Sequence, residues 1–185
     1  MTQPGASPTL EGPAASAAAP PSAGDRLTSV FHEMRDELVS TLLYLLGNRD
    51  DAQDAAQEAF VKCWRSRDSI PDVHNLRAWI FRVGLNAAKD MQRSAWNRKA
   101  KAFAGDETAI VGRDLVPGQA LEDQEDLARL RAAILDLRPD EKEVFLLRQN
   151  GGLTYEEIAV IRSAPVGTVK TQMRTALMKL RKVLA

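Results

Sequence analysis

Thr168, Lys170, Thr171, Gln172, Arg174, Thr175 and Lys179 carry hydroxyl, amide and cationic groups of the kind that bond phosphates and base edges in a DNA major groove. From Arg162 to the end the charged residues are Arg162, Lys170, Arg174, Lys179, Arg181 and Lys182, with no acid among them. A surface of one sign attracts a polyanion. A second set, Trp79, Arg82, Asn86 and Arg93, is spaced by steps of three, four and seven, which keeps side chains on one face of a helix. Cations there can hold phosphates while an indole stacks an unpaired base and an amide reads its edge. Arg77, Lys89, Arg98, Lys99 and Lys101 surround this set, opposed only by Asp90. The competing reading puts Trp79 in the core and leaves the cations solvated. A third set, Asp50, Asp54, Gln57 and Glu58, lies on or near one face at a helix start, where carboxylates complement the positive end of the helix dipole. By itself the third set names no partner.

These residues need helices to hold them. Thr154 and Glu157 form a capping box opening a short helix whose Ile158, Ala159 and Ile161 point inward. After a break at Arg162-Ser163-Ala164, Pro165 falls at the first position of a new helix. Val166, Val169, Met173, Leu177, Leu180 and Leu184 then recur at helical steps, so the pair reads as a helix-turn-helix. Upstream, a helix is predicted from Asp25 to Leu46, stopped by Gly47, with Leu38, Leu42, Leu45 and Leu46 on the core side. The next starts at Asp50 or Asp51 and turns Ala52, Ala55, Ala56, Ala59, Phe60, Cys63 and Trp64 inward. A loop over residues 69–74 follows. Asn75 then caps a long helix through Leu76, Ile80, Val83, Ala87 and Met91 to about Lys101. Two more helices, about 120–136 and from Pro139 to Asn150, precede the helix-turn-helix.

The expected architecture is all-α: two small helical domains on an acidic flexible linker. Residues 1–24 read as a disordered Ala/Pro-rich tail, 25–101 as the first domain, 102–119 as the linker and 120–185 as the second domain. The 25 basic and 25 acidic residues cancel, but they occupy different stretches, so net charge is a poor guide. One cysteine excludes an internal disulfide and fits a reducing cytoplasm. Cys63, His32 and His74 make no zinc constellation, and Cys63 is expected to be a buried structural thiol. No stretch has the apolar length of a membrane span, which predicts a soluble protein. No catalytic triad, metal site or phosphate-cradling glycine loop is present, so no cofactor and no small-molecule substrate are expected.

Three segments together resemble a known family. Asp51-Ala-Gln-Asp54-Ala-Ala-Gln57-Glu-Ala-Phe60, the stretch from Trp79 through Arg82 and Asn86 to Arg93, and the pair Leu137–Arg148 with Thr154–Ile158 and Pro165–Lys170 look like the extracytoplasmic-function sigma factors of bacterial RNA polymerase. The resemblance covers nearly everything from Asp25 to Leu184 in the family's order. It implies a non-enzymatic, cytoplasmic initiation subunit with core RNA polymerase and promoter DNA as partners, and commonly an anti-sigma factor. By the same resemblance Asp51, Asp54, Gln57 and Phe60 dock on the polymerase clamp. Residues 69–75 with Trp79, Arg82, Asn86 and Arg93 recognise and open the minus-ten element, and the helix from Pro165 reads the minus-thirty-five element. The linker then threads toward the polymerase cleft.

The chain departs from the family's pattern at three places. Arg162-Ser163 stands where a Leu-Gly is usual, so an apolar anchor and an easy left-handed residue are both missing; Gln172 replaces a common Arg, and Leu85 an Arg before the Asn. The rival readings are a stand-alone helix-turn-helix regulator, dimeric on duplex DNA, and an adaptor whose basic faces grip acidic proteins. A basic helix bearing Trp79 and Asn86 in a separate domain argues against the first, and salt-dependent promoter binding with core polymerase would dismiss the second.

Overall fold

The computed structural model describes residues 22–102 and 123–184. The expected acidic linker and nearly all of the expected tail lie outside them. Seven α-helices run through the described residues: α1 (Ala23–Leu46), α2 (Arg49–Arg65), α3 (Leu76–Ala102), α4 (Asp123–Leu135), α5 (Pro139–Gln149), α6 (Tyr155–Arg162) and α7 (Val166–Leu184). A short 3₁₀ helix, Arg67–Asp72, occupies the first part of the expected loop between α2 and α3.

Local chemistry explains the helix ends. Ser22 and Asp25 form a capping box, which starts α1 two residues before the expected Asp25. Gly47 ends it at φ 75°, a left-handed conformation that costs glycine little. The Asn48 side chain caps α2 by accepting from the Asp50 and Asp51 N–H groups at 2.8 and 3.3 Å. Asn75 caps α3 as expected, its Oδ1 accepting from the Ala78 N–H at 3.0 Å. The expected Thr154–Glu157 box is also formed, at 3.2 and 2.8 Å. Pro165 stands one residue ahead of α7 and supplies the carbonyl that accepts from the Val169 N–H.

The first three helices close around Leu27, Met34, Leu38, Leu42, Ile80, Phe81 and Leu85, all at most 1% exposed. Each fully buried Leu contributes roughly 1.5–3 kcal/mol. Ala52, Ala55, Ala56 and Ala59 are buried on α2, and these small side chains let the neighbouring helices approach closely. Gly84 serves the same end, since a Cβ there would sit 2.9 Å from the Leu38 Cδ1. Trp64 differs from expectation. It is 41% exposed, stacked beside Phe60, because the alanines and Cys63 already fill the inner face of α2. Cys63 is buried as expected, and burial pushes its thiol up to about 12.

In the second half, Val144, Leu147, Leu153, Ile158, Ala159, Val169 and Met173 join the same contiguous apolar cluster as the α1–α3 core. Ala133, Ile134, Leu137, Leu146, Ala176 and Leu180 form a second cluster, against which Tyr44 and Leu45 of α1 also pack. The two halves are therefore docked. Among the described residues no helix is long and apolar enough to cross a membrane.

The turn of the helix-turn-helix takes the left-handed conformation at Ser163, φ 51° and ψ 45°, with the Ala164 N–H donating to the Ala159 carbonyl at 3.0 Å. A non-glycine residue pays a steric cost there, partly offset by the greater freedom glycine has in the unfolded chain. Ser163→Gly is expected to stabilise the protein by about 0.5–1 kcal/mol. The check is the urea midpoint followed by circular dichroism, and a lowered midpoint would show that Ser163 is not strained.

Candidate nucleic-acid interface

The α3 set falls on one face. Arg82, Asn86 and Arg93 are exposed along the helix, while Trp79 is half-buried, its ring packed against the core. The packing reading of Trp79 is thus partly met. Leu85, the departure beside Asn86, is 1% exposed and serves packing. Arg93 lies 3.6 Å from Asp90, an exposed pair worth little. The side chains of Arg98, Lys99 and Lys101 lie outside the described residues.

On α2 the residues that the family resemblance assigns to polymerase docking divide. Asp51 and Asp54 line an open groove of about 640 Å³ with Glu58, Asp90, Met91 and the 73%-exposed Trp96. Phe60 is on the other flank, edge-on to Phe31 with ring centres 4.8 Å apart and beside Trp64 in a small apolar cleft. Gln57 is exposed between the two on the helix surface. Carboxylates beside an exposed indole suit a partner offering cations and apolar side chains.

The α7 set divides as well. Thr168, Lys170, Thr171 and Arg174 are exposed, and Thr175 is half-buried. Thr171 and Thr175 donate to carbonyls one turn back, at 2.9 and 3.0 Å, which leaves each hydroxyl oxygen able to accept. The Lys170 ammonium sits 5.8 Å from the Tyr155 ring centre, and Tyr155, Lys170 and Arg174 share a cleft with Leu177 and Met178. Two members are engaged by partners within the chain. Lys179 donates to the buried Glu141 at 2.7 Å, and the Gln172 carbonyl accepts from Arg162 at 2.5 Å.

Sequence reasoning counts Arg162 among the C-terminal cations and as a departure from the family's pattern, but gives it no packing role. Its side chain, 10% exposed, also donates to Asp140 at 2.8 Å and lies 3.5 Å from Glu143, tying α5, α6 and α7 together. The two departures at Arg162 and Gln172 are thus partners, which ten residues of separation did not suggest.

The α3 cations meet the second half of the chain. Lys89 reaches Glu143 at 3.0 Å, and Arg77 donates to the Gly151 and Asn150 carbonyls at 2.6 and 3.1 Å. The Asn75 amide donates to Glu157, whose carboxyl partial burial pushes up. The hydrogen bonds from Thr154 and Asn75 and the Arg148 charge outweigh that and hold it below the ordinary glutamate value. A Cβ at Gly151 would lie 2.4 Å from the Leu147 carbonyl oxygen, so the turn that ends α5 has room only for glycine there. No group of side chains able to hold a metal ion occurs among the described residues.

Comparison with known proteins places this geometry. Residues 30–98 match the family described as Sigma-70 region 2, and residues 127–180 match Sigma-70, region 4. The chain is 32% identical over 142 residues to the ECF RNA polymerase sigma-E factor of Haemophilus influenzae, covering 73% of this chain and 75% of that protein. It is 30% identical over 141 residues to the ECF RNA polymerase sigma factor SigE of Mycolicibacterium smegmatis, 76% of this chain but only 54% of that protein's length. In fold it is similar to the sigma factor RpoE crystallised with the anti-sigma factor NepR from Bartonella quintana. The TM-score is 0.71 at 23% identity, over 86% of this chain and 96% of that one.

Proposed function

The chain belongs to the extracytoplasmic-function branch of the sigma-70 family, and from that premise we propose that it binds core RNA polymerase in the cytoplasm and directs promoter recognition, melting and initiation. The observation that carries this is the pairing of two different nucleic-acid faces on one chain. An α3 face carrying an indole, an amide and cations suits an unpaired strand, and a helix-turn-helix suits duplex. A stand-alone duplex-binding regulator has no use for the first.

In this reading residues 25–101 act at the minus-ten element, through Trp79, Arg82, Asn86 and Arg93. Residues 120–185 act at the minus-thirty-five element, with 102–119 as the connection. Thr168, Lys170, Thr171, Arg174 and Thr175 face that DNA, and Gln172 and Lys179 contribute only if they leave Arg162 and Glu141. Asp51, Asp54, Gln57 and Phe60 grip the polymerase clamp. An anti-sigma factor is an expected partner, since the RpoE structure similar to this chain was crystallised with one. The chain itself performs no chemistry in this role: it holds, orients and opens DNA for the polymerase.

The test is reconstitution with core polymerase on a library of random promoters. Specific transcripts are expected from the full complex, and none from core alone. Asp54→Arg sets a cation in the acidic groove and should weaken core binding at least tenfold in a pull-down titration, with helicity unchanged. Unaltered affinity would remove the α2 face from the polymerase contact, and a library without enriched promoters would overturn the function.

A further inference from the structure

Each nitrogen of the Arg162 guanidinium, at the end of α6, has its own acceptor. Nη1 donates to the Gln172 carbonyl at 2.5 Å, Nη2 donates to Asp140 at 2.8 Å, and Nε lies 3.5 Å from Glu143. Both carboxylates belong to α5, so two of the three nitrogens are tied to a neighbouring helix and the guanidinium cannot turn outward with Gln172. Gln172 is the only side-chain amide of α7. It is half-buried, one turn after Thr168 and one before Thr175, beside the face assigned to DNA. Its orientation follows from chemistry: a guanidinium has donors only, so the amide turns its carbonyl, not its NH2, toward Nη1. A glutamine reads adenine through both ends at once, its carbonyl accepting from the N6 amine while its NH2 donates to N7. The carbonyl that Arg162 holds is the one that adenine needs.

We propose that Arg162 is a specificity-determining positioning residue, which withholds the Gln172 amide from base reading so that α7 meets the minus-thirty-five element with cations and hydroxyls alone. The inference rests on the sigma-factor reading, with α7 as its duplex-reading helix. Leaving Arg162 brings Gln172 no net gain. The guanidinium is 10% exposed, and a charged donor orphaned where water hardly reaches offsets the gain from one base contact. Thr168, Lys170, Thr171 and Arg174 stay exposed. Lysine and arginine pair with O6 and N7 of guanine, while threonine accommodates any base. The duplex preference of the chain is therefore built on guanine, with no adenine reader in α7.

The test frees the amide and looks for a gain. Arg162→Lys keeps a cation beside Asp140 and Glu143, but one ammonium nitrogen cannot meet three acceptors spread around a guanidinium. Full-length chains with core polymerase select from templates randomised across the minus-thirty-five element. Arg162→Lys should gain roughly fivefold or more enrichment of adenine at one position, the low end of what a bidentate contact discriminates, and adding Gln172→Ala should abolish the gain. A folding defect cannot create a base preference. Arg162→Leu with Glu143→Gln is a second route to the same adenine, since it removes the guanidinium together with the buried carboxylate that its loss would strand. No new adenine preference in either variant, at wild-type helicity, overturns the proposal. So does an adenine preference of the wild type that Gln172→Ala erases, an outcome that needs neither Arg162 variant to fold. Should the wild-type chain with polymerase enrich no sequence, the sigma-factor reading fails by itself, while the same selection by the free chain on random duplex still compares the variants.

Discussion

Replacing Arg162 by alanine is expected to destabilise the C-terminal half by about 3 kcal/mol, roughly a hundredfold in its folded-to-unfolded ratio. The guanidinium is almost wholly buried and joins Asp140 and Glu143 of α5 to Gln172 of α7. Its loss strands the Glu143 carboxylate, itself 10% exposed, with only the half-exposed Lys89 to compensate. Breaking a buried pair by removing one partner typically costs 3–5 kcal/mol, and the remaining lysine sets the value near the lower end. Gln172→Ala should cost only about 1 kcal/mol, because the guanidinium keeps both carboxylates. The measurement is urea unfolding by circular dichroism, since Trp64, Trp79 and Trp96 all lie in the N-terminal half and their fluorescence would report the other body. A loss below 1 kcal/mol for Arg162→Ala would mean that these ion pairs are not part of what holds the second half together.

Rules that act within one helical turn were legible in the chain. The Thr154–Glu157 box, the Asn75 cap, the alanine face of α2 and the common face of Arg82, Asn86 and Arg93 each depend on neighbours three to seven residues away. Reading Ser22 as part of the Ala/Pro-rich tail puts the start of α1 two residues late, and the expected core face, drawn from the leucines near its end, leaves out the buried Leu27, Phe31 and Met34. Trp64 continues the apolar stripe of α2, and on that pattern it is expected to point inward. Small residues fill the inside of that stripe, and the indole is left at its edge. The docking of the halves left no local mark. Asn75 and Glu157 are 82 residues apart, and each already had a sufficient local role, one as a cap and the other in a box. A residue with two uses shows only the nearer one in a sequence. The same holds for Lys179, whose cation suited a phosphate and whose partner Glu141 is 38 residues upstream.

Asn86→Ala should slow open-complex formation on duplex promoters about tenfold, while on templates already mismatched across the minus-ten element the loss should be under threefold. The Asn86 amide beside the indole is expected to read the edge of a base that has left the stack, so its contribution is realised in the opened state. About 1.4 kcal/mol of lost contact corresponds to the tenfold effect, within the 1–3 kcal/mol usual for a good base contact. Asn86 suits the experiment better than Trp79. It is exposed on α3, whereas Trp79 also packs on the core, so removing the indole would mix folding with recognition. Arg82→Ala supplies the contrast, as an exposed cation on the same face that would hold a phosphate. It should weaken binding to both templates alike and lessen the salt dependence by about one counterion. Equal losses for Asn86→Ala on duplex and mismatched templates would make Asn86 a binding group and would assign strand opening to another residue of the α3 face.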